Sequence, residues 1–319
     1  MTNNDEDKIL VNGPEAKSVF RRLQHTLPFR LLIKGFLYST KVMPVWLLRA
    51  IGRIFVFVFI LFNPGNFMAI RWNLRKMLPE LSYLACSYKA YEVFKYYSFY
   101  LIDLFYLSHD LGRLDEYSFA IEGSENLEKA LSSGRGIILL TTHLGNWEIG
   151  GLKLAVKDRK VHVVYSPDSS AEIESQRSFV RYTEGIEEVR LEQGGFSSIK
   201  LLRILQDGGI VALQGDRLTF DSGIAVEFFG QQALFPKGPV KLAMASGSLI
   251  LPAFVPITGY KSYRIIVEEP LIMERLDRAS DELKTNLYKI TKILEKNIGR
   301  YPAQWFTFMP FWDEDKRRH

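Results

Sequence analysis

Leu139-Leu140-Thr141-Thr142-His143-Leu144-Gly145-Asn146-Trp147-Glu148 is the stretch on which the fold and the chemistry of this chain turn. An apolar run ends in a histidine, a Gly-Asn turn follows, and a carboxylate stands five positions after the histidine. The pattern predicts a strand that presents His143 at its C-terminal end, followed by a helix. In α/β folds, reactive groups collect at that end of the strands. Glu148 falls in the first turns of the helix, where it can reach back to the imidazole. A histidine oriented by a carboxylate is the minimum equipment for drawing a proton from a hydroxyl. A strand-end histidine with no chemical duty is the alternative, and the H-x4-E spacing with Gly145-Asn146-Trp147 between argues against it.

The pattern around this stretch predicts an α/β fold with a mostly parallel central sheet covered by helices. Strands are read at Ile137–Thr141, Val161–Tyr165, Glu188–Glu192, Ile210–Gln214, Ile224–Phe229, Leu249–Pro256 and Tyr263–Glu268. Helices are read at Ser124–Leu131, with Ser124 as N-cap, and at Asn146–Val156, Ala171–Tyr182, Ser197–Gln206, Lys237–Ala245 and Ala279–Ile298. Two domains follow: a basic, aromatic-rich helical region over 1–110 and an α/β domain over 111–319.

Upstream, Ala16 to Pro79 contains no Asp or Glu. It carries Lys17, Arg21, Arg22, Arg30, Lys34, Lys41, Arg49, Arg53, Arg71, Arg75 and Lys76 among many aromatic and aliphatic residues. Such a composition suits an anionic bilayer surface, where each basic group contributes roughly 1 kcal/mol. Pro44 to Phe62 is about long enough to cross a bilayer, but Arg49 and Arg53 each cost roughly 2.5 kcal/mol or more at its centre. The expectation is an interfacial or re-entrant helix with both arginines facing headgroups; a true span is the competing reading. The whole stretch from about Pro14 to Ser108 reads as helical, broken at Asn63-Pro64-Gly65-Asn66. Its dense tyrosines and phenylalanines read as helix packing, and His109-Asp110 as a surface turn. Nucleic acid is a poor partner for so greasy a segment.

Other classes are bounded by what is missing. The single cysteine, Cys86, permits no internal disulfide and no cysteine metal cluster. No pair of histidines has metal-ligand spacing, and no P-loop, G-x-G-x-x-G or G-x-S-x-G motif occurs. The acidic N-terminus lacks the pattern of a secretory signal. Further candidates stand at strand ends and helix starts. Gly215-Asp216-Arg217 follows an apolar strand; the glycine admits close backbone approach, Arg217 can grip a phosphate, and Asp216 can fix Arg217 or bind substrate. Lys237-Gly238 opens a helix, a place that attracts anions. Arg177 and Arg181, one turn apart, form a second cationic surface, with solvation as the plain reading.

These motifs occur in an order that resembles the bacterial lauroyl/myristoyl acyltransferase family of lipid A biosynthesis, a relative of the wider H-x4-D acyltransferases of lysophospholipids. The likeness runs from about Thr26 to Trp312. It includes Asn73-Leu74, the His143 to Glu148 block, Gly215-Asp216-Arg217, Phe228-Phe229-Gly230, Gly238, Leu251-Pro252 and Pro302-Ala303-Gln304-Trp305. The resemblance implies transfer of a fatty acyl group from an acyl carrier protein or coenzyme A thioester to a lipid hydroxyl. It implies His143 as general base and Glu148 as its orienting partner. Asn146, Arg177, Gly215, Asp216, Arg217, Lys237 and Gly238 would bind substrate. No metal or redox cofactor is expected, and the place of action is the cytoplasmic face of a bacterial inner membrane. The tail Phe306–Trp312 lacks the basic motif with which lipid A enzymes close. The acceptor therefore stays open between a lipid A precursor, another glycolipid, a lysophospholipid and an aminolipid. A thioesterase or lipase using the same pair on water, and a non-catalytic membrane-binding protein, are the rival functions.

Overall fold

The computed structural model describes residues 27–154, 160–166, 171–183, 185–191, 196–218 and 223–312. Lys17, Arg21 and Arg22 of the basic segment lie outside these residues, as do the predicted ends of one helix at Val156 and one strand at Glu192. Two compact units divide the chain: Met1–Gly112 with Pro302–His319, and Arg113–Tyr301. The first of these segments ends at Gly112, two residues after the change of sequence pattern at 110. The segment from Pro302, expected within the α/β domain, belongs to the helical unit instead. Asn73 accounts for much of this. Its amide Nδ2 donates to the carbonyls of Thr307 (3.3 Å) and Met309 (2.8 Å), and its Oδ1 accepts from the Phe311 N–H (2.8 Å). The rings of Phe306 and Phe308 pack on Tyr97 at 5.3 and 5.0 Å.

The helical unit holds α1 (Leu27–Val42), α2 (Val45–Phe62), α3 (Pro64–Met77) and α4 (Tyr83–Ser108). Pro64 is the first residue of α3, where its missing N–H costs nothing, so the predicted break is only a single residue wide. Ser82 caps α4 by accepting from the Ala85 N–H at 3.3 Å. Two further breaks, after Val42 and after Met77, divide what was read as continuous helix. His109 does not sit as a bare surface turn: its Nε2 lies 3.1 Å from Thr40 Oγ1 and 3.2 Å from the Leu37 carbonyl, joining the end of α4 to α1.

On α2 the expectation for Arg49 is corrected. Its guanidinium does not face headgroups; it is buried against α4, with Nη2 2.6 Å from Asp103 Oδ2 and its carbon 4.7 Å from the centre of the Phe99 ring. Asp103 is wholly buried, so each charge offsets part of the desolvation cost of the other. Arg53, one turn on, is exposed and lies over the same ring at 5.2 Å. With Arg49 withdrawn into the bundle, the outer face of α2 is apolar apart from Arg53: Trp46, Ile54, Phe57, Leu61 and Phe62 are all exposed.

The second unit contains β1 (Ser118–Glu122), α5 (Ser124–Ser132), β2 (Ile137–Thr141), α6 (Trp147–Leu154), β3 (Val161–Tyr165), α7 (Ala171–Thr183), β4 (Glu187–Arg190) and α8 (Phe196–Gln206). It continues with β5 (Ile210–Gln214), β6 (Ile224–Phe228), β7 (Gln231–Phe235), α9 (Gly238–Ser246), β8 (Leu249–Phe254), β9 (Ile257–Gly259), β10 (Ser262–Val267) and α10 (Ala279–Arg300). The main sheet runs β1-β10-β8-β2-β5-β3-β4, with β9 on β10. β10 is antiparallel to β8 and β9; the other pairings in this sheet are parallel. The mostly parallel, helix-covered sheet is therefore as expected. β8 is buried along its whole length at the centre, as two-sided helix cover requires.

Three short strands escaped the pattern: β1, β7 and β9. β7 pairs with β6 as a separate hairpin whose turn is Phe229-Gly230, both with positive φ (50° and 69°). Gly230 suits that geometry, but Phe229 stands where Asn is usual, so the turn signal was weak. Ser124 is the first residue of α5; the cap is Gly123 in the left-handed conformation.

The buried pair in the helical unit gives a direct test. Asp103→Ala leaves the Arg49 guanidinium buried without its carboxylate and should lower stability by about 3–5 kcal/mol. Arg49→Met combined with Asp103→Leu should recover most of that loss, read as the thermal midpoint in detergent.

Candidate active site

β2 delivers His143 to the C-terminal edge of the sheet, and the following turn is built to hold it there. Gly145 has φ +69°, and a Cβ on it would lie 2.1 Å from the Val255 carbonyl oxygen, so only glycine fits. The Asn146 N–H donates to that same carbonyl at 2.8 Å. The Asn146 side chain is fully buried and bonded at both ends: Oδ1 accepts from the Ile149 N–H (3.2 Å), and Nδ2 donates to the Tyr263 hydroxyl (3.3 Å). Asn146 is thus the cap of α6, and its amide is engaged by the fold at both ends.

The imidazole is oriented from the neighbouring strand. β5 runs beside β2 in register, Thr141 against Gln214, and Asp216 lies just beyond its end. His143 Nδ1 is 2.8 Å from Asp216 Oδ1, and the His143 backbone N–H donates to Oδ2 at 3.1 Å. Asp216 is 1% exposed, whereas the His143 side chain keeps 16% of its surface open. A proton on Nδ1, donated to the carboxylate, leaves the Nε2 lone pair free to act as a base. Trp147 stands edge-on to the ring at 5.3 Å. Burial, then the Arg217 charge, and to a smaller extent Arg177, hold the imidazole below the ordinary histidine range; Asp216 pulls the other way. His143 is therefore neutral at physiological pH, the state a base requires.

Glu148 does not orient His143. Its two oxygens form a fork with Arg181: Oε2 accepts from Nε at 3.0 Å, and Oε1 makes a closer contact with Nη2. Arg177 Nε lies 3.8 Å from Oε1. Arg181 also donates from Nη1 to Glu188 Oε1 at 2.8 Å, and Ser178 Oγ is 3.0 Å from both oxygens of Glu188. The reason is electrostatic. A buried carboxylate needs a compensating cation, and α7 offers a planar, two-donor one. Burial raises the Glu148 pKa, but Arg181 and Arg177 outweigh it and hold it below the usual carboxylate range. Arg181 is held above its ordinary value by Glu148 and Glu188 despite its burial.

The remaining candidates divide. Arg177 and Arg217 are close enough for their charges to act on the imidazole. Asp216, expected to fix Arg217 or to bind substrate, has both oxygens on His143. Gly215 serves strand packing: a Cβ there would meet Leu140 Cδ1 at 2.7 Å. Lys237 and Gly238 open α9, which leads through Gly247 into β8, parallel to β2. The start of α9 therefore lies toward the sheet edge that carries His143. Among the described residues, no group of three or more His, Cys, Asp or Glu side chains is placed to hold a metal ion.

A family model described as bacterial lipid A biosynthesis acyltransferase matches residues 16–314. This chain belongs to that family. A phosphatidylinositol mannoside acyltransferase of Mycolicibacterium smegmatis is 30% identical over 212 residues, 65% of this chain and 66% of that protein. One of Mycobacterium tuberculosis is 29% identical over 198 residues, 61% of this chain and 60% of that protein. The chain thus spans just under two thirds of the length of these relatives. A crystal structure of a 1-acyl-sn-glycerophosphate acyltransferase from Thermotoga maritima aligns over 74% of this chain and 96% of that one, with a TM-score of 0.36 and 14% identity.

For this family member, sequence reasoning located the histidine and named Asp216, but assigned the histidine's partner to the wrong carboxylate. It joined Arg181 to Arg177 as a second cationic surface, with solvation as the plain reading; their one-turn spacing was the signal of a shared anion. Tyr263 and Val255, which fix the turn after His143, carried no local signal at all. The electrostatics can be checked by NMR titration of the His143 ring. His143 should titrate below the ordinary histidine range. Arg217→Ala removes a repelling cation and should move the midpoint up, whereas Asp216→Asn removes the attracting anion and should move it further down.

Proposed function

We propose that this chain transfers a fatty acyl group from a thioester, carried by acyl carrier protein or coenzyme A, to a sugar hydroxyl of a glycolipid. The carrying observation is the hydrogen bond between His143 Nδ1 and Asp216. In the proposed step, His143 Nε2 takes the hydroxyl proton as the oxygen attacks the thioester carbonyl. The new C–O bond forms, the tetrahedral intermediate collapses, and the C–S bond breaks. The leaving sulfur takes the proton back from the imidazolium, which Asp216 has stabilised meanwhile. Arg177, Arg217 and Lys237 supply positive charge for the phosphates of the donor or the acceptor. Glu148 keeps α7 and its arginines in place. The family name and the mannoside acyltransferases agree on a sugar-bearing lipid as acceptor, which favours a glycolipid, a lipid A precursor among them, over a lysophospholipid.

The reading extends to the membrane. Val45–Phe62 has a mean hydropathy of 2.2 and is long and apolar enough to cross a bilayer. Its exposed aromatic and aliphatic face, with Arg49 withdrawn onto Asp103, suits burial among acyl chains on the cytoplasmic side of a bacterial inner membrane. Exposed basic residues of the same unit, such as Lys34, Lys41, Arg53 and Arg75, suit anionic headgroups.

Thiol release from palmitoyl-coenzyme A should be slow alone and accelerate on addition of a glycolipid acceptor fraction. Fast release without acceptor would make the protein a thioesterase. His143→Ala and Asp216→Asn should each slow the acceptor-dependent rate by about 10²–10⁴-fold with the fold intact. Separately, Phe57→Glu with Leu61→Glu should reduce flotation with anionic vesicles by at least about tenfold, since each buried side chain of this size contributes roughly 1.5–3 kcal/mol. Undiminished flotation would remove α2 from the membrane contact.

A further inference from the structure

α2 has two sides, and they meet different surroundings. One side packs along α4, and three contacts fix the direction of the pairing. Arg49 meets Asp103, a Cβ on Gly52 would lie 3.2 Å from Ile102 Cδ1 and 3.4 Å from Ser98 Oγ, and the rings of Phe59 and Phe94 are 5.9 Å apart. As α2 advances, its partners on α4 recede, so the two helices are antiparallel. Arg49, Gly52, Val56 and Phe59 recur at three- and four-residue spacing and form this packed side. Trp46, Ile54, Phe57 and Leu61 share the opposite side, and all four are exposed. Arg53 falls between the two: its guanidinium carbon is 5.2 Å from the centre of the Phe99 ring of α4, so its charge sits on the flank of the apolar side.

The apolar surface continues past the end of α2. Leu84, Tyr88, Tyr91, Ser98 and Ile102 stand three, four or seven residues apart along α4 and therefore share one face. α2 lies over that face at Ser98 and Ile102. Phe59 is already opposite Phe94, so α2 ends near Tyr91. Beyond it the same face of α4 is open: Leu84 and Tyr88 keep 79% and 62% of their surface exposed. Exposed cations accompany this surface, with Lys34 and Lys41 before α2, Arg53 on it and Arg75 after it. No acidic residue occurs between Leu27 and Pro79.

A helix that crosses a bilayer takes whatever packs on it into the hydrocarbon, where charges are costly. The packed side of α2 leads to α4, and beside Phe94 that helix carries the Glu92–Lys95 ion pair (2.7 Å), with 18% and 15% of the two side chains open. Crossing would carry this pair and the Arg53 guanidinium among the acyl chains. A helix lying in the interface needs one apolar side only, and buries it about 5–10 Å deep. Building on the membrane contact proposed above, we propose that α2 lies along one leaflet without crossing it, and that Leu84 and Tyr88 of α4 extend its contact with the acyl chains of an anionic bilayer. The residues before and after α2 then stay on the same side of the membrane, with the flanking cations at the headgroups.

The full-length chain carrying Cys86→Ala, which removes the buried native thiol, is the starting point for the first test. Lys41→Cys, before α2, and Arg75→Cys, after it, are each expressed in bacterial cells, and spheroplasts are treated with a membrane-impermeant maleimide before and after lysis in detergent. Neither position should react in intact spheroplasts, and both should react on lysis. Reaction of one position alone in intact spheroplasts means that α2 crosses, and overturns the proposal. Reaction of both there would put the contact on the outer leaflet and sink the cytoplasmic placement instead. The second test is flotation with vesicles of phosphatidylcholine and phosphatidylglycerol. Leu84→Glu with Tyr88→Glu should lower the partition coefficient by at least about tenfold, with the thermal midpoint in detergent unchanged because both side chains are exposed. Leu84→Ser with Tyr88→Ser should act in the same direction without added charge. Undiminished flotation of these folded variants overturns the α4 contact; if the native chain is also a dimer that the glutamates split, the face seats a second copy. Undiminished flotation of Phe57→Glu with Leu61→Glu would sink the membrane reading itself, a result distinct from either.

Discussion

A histidine serves as a base only while its other nitrogen is held, and here the holding group comes from a different strand. Asp216 reaches His143 because β2 and β5 lie side by side and run the same way, so their ends arrive at one edge together. The carboxylate takes both the ring N–H and the backbone N–H of the same residue, which fixes ring and main chain at once. The neighbouring strands support the arrangement from the other side. The carbonyl of Val255, just past β8, holds the Gly145-Asn146 turn, and Tyr263 of β10 holds the Asn146 amide. Displacing any of these strands would move the imidazole.

The charges around the ring form two linked sets. Asp216 favours the imidazolium, while burial, Arg217 and Arg177 oppose it, and the opposition prevails. That balance favours the neutral imidazole. Glu148 acts one layer out. By pairing with Arg181 and standing 3.8 Å from Arg177, it compensates cations that would otherwise be costly to bury. The two ends of the H-x4-E spacing thus have different partners: the histidine meets Asp216, and the glutamate meets Arg181 of α7.

The helical unit solves a similar problem in a greasier setting. A long apolar helix carrying an internal arginine is tolerated because Asp103 meets that arginine inside the bundle. Gly52 allows the close approach, since a Cβ there would lie 3.2 Å from Ile102 Cδ1. Residues 302–312 return to the same unit and are held by Asn73, with the Trp312 ring against those of Trp72, Trp305 and Phe311.

Read alone, the sequence determined the α/β class, the position of His143 at a strand end, and the acid-free greasy segment. These rest on periodicity, turn residues and composition, which are local properties. It also singled out Asp216, from its place after an apolar strand. Tertiary structure alone decided which carboxylate meets the imidazole: the one 73 residues away and not the one five residues away. It likewise decided that Arg49 pairs with a residue 54 positions on, that Arg181 takes Glu148, and that the tail joins the helical unit. The reason is that a side-chain hydrogen bond depends on strand order, helix packing and the direction of each Cα–Cβ bond, and residue spacing along the chain carries none of these.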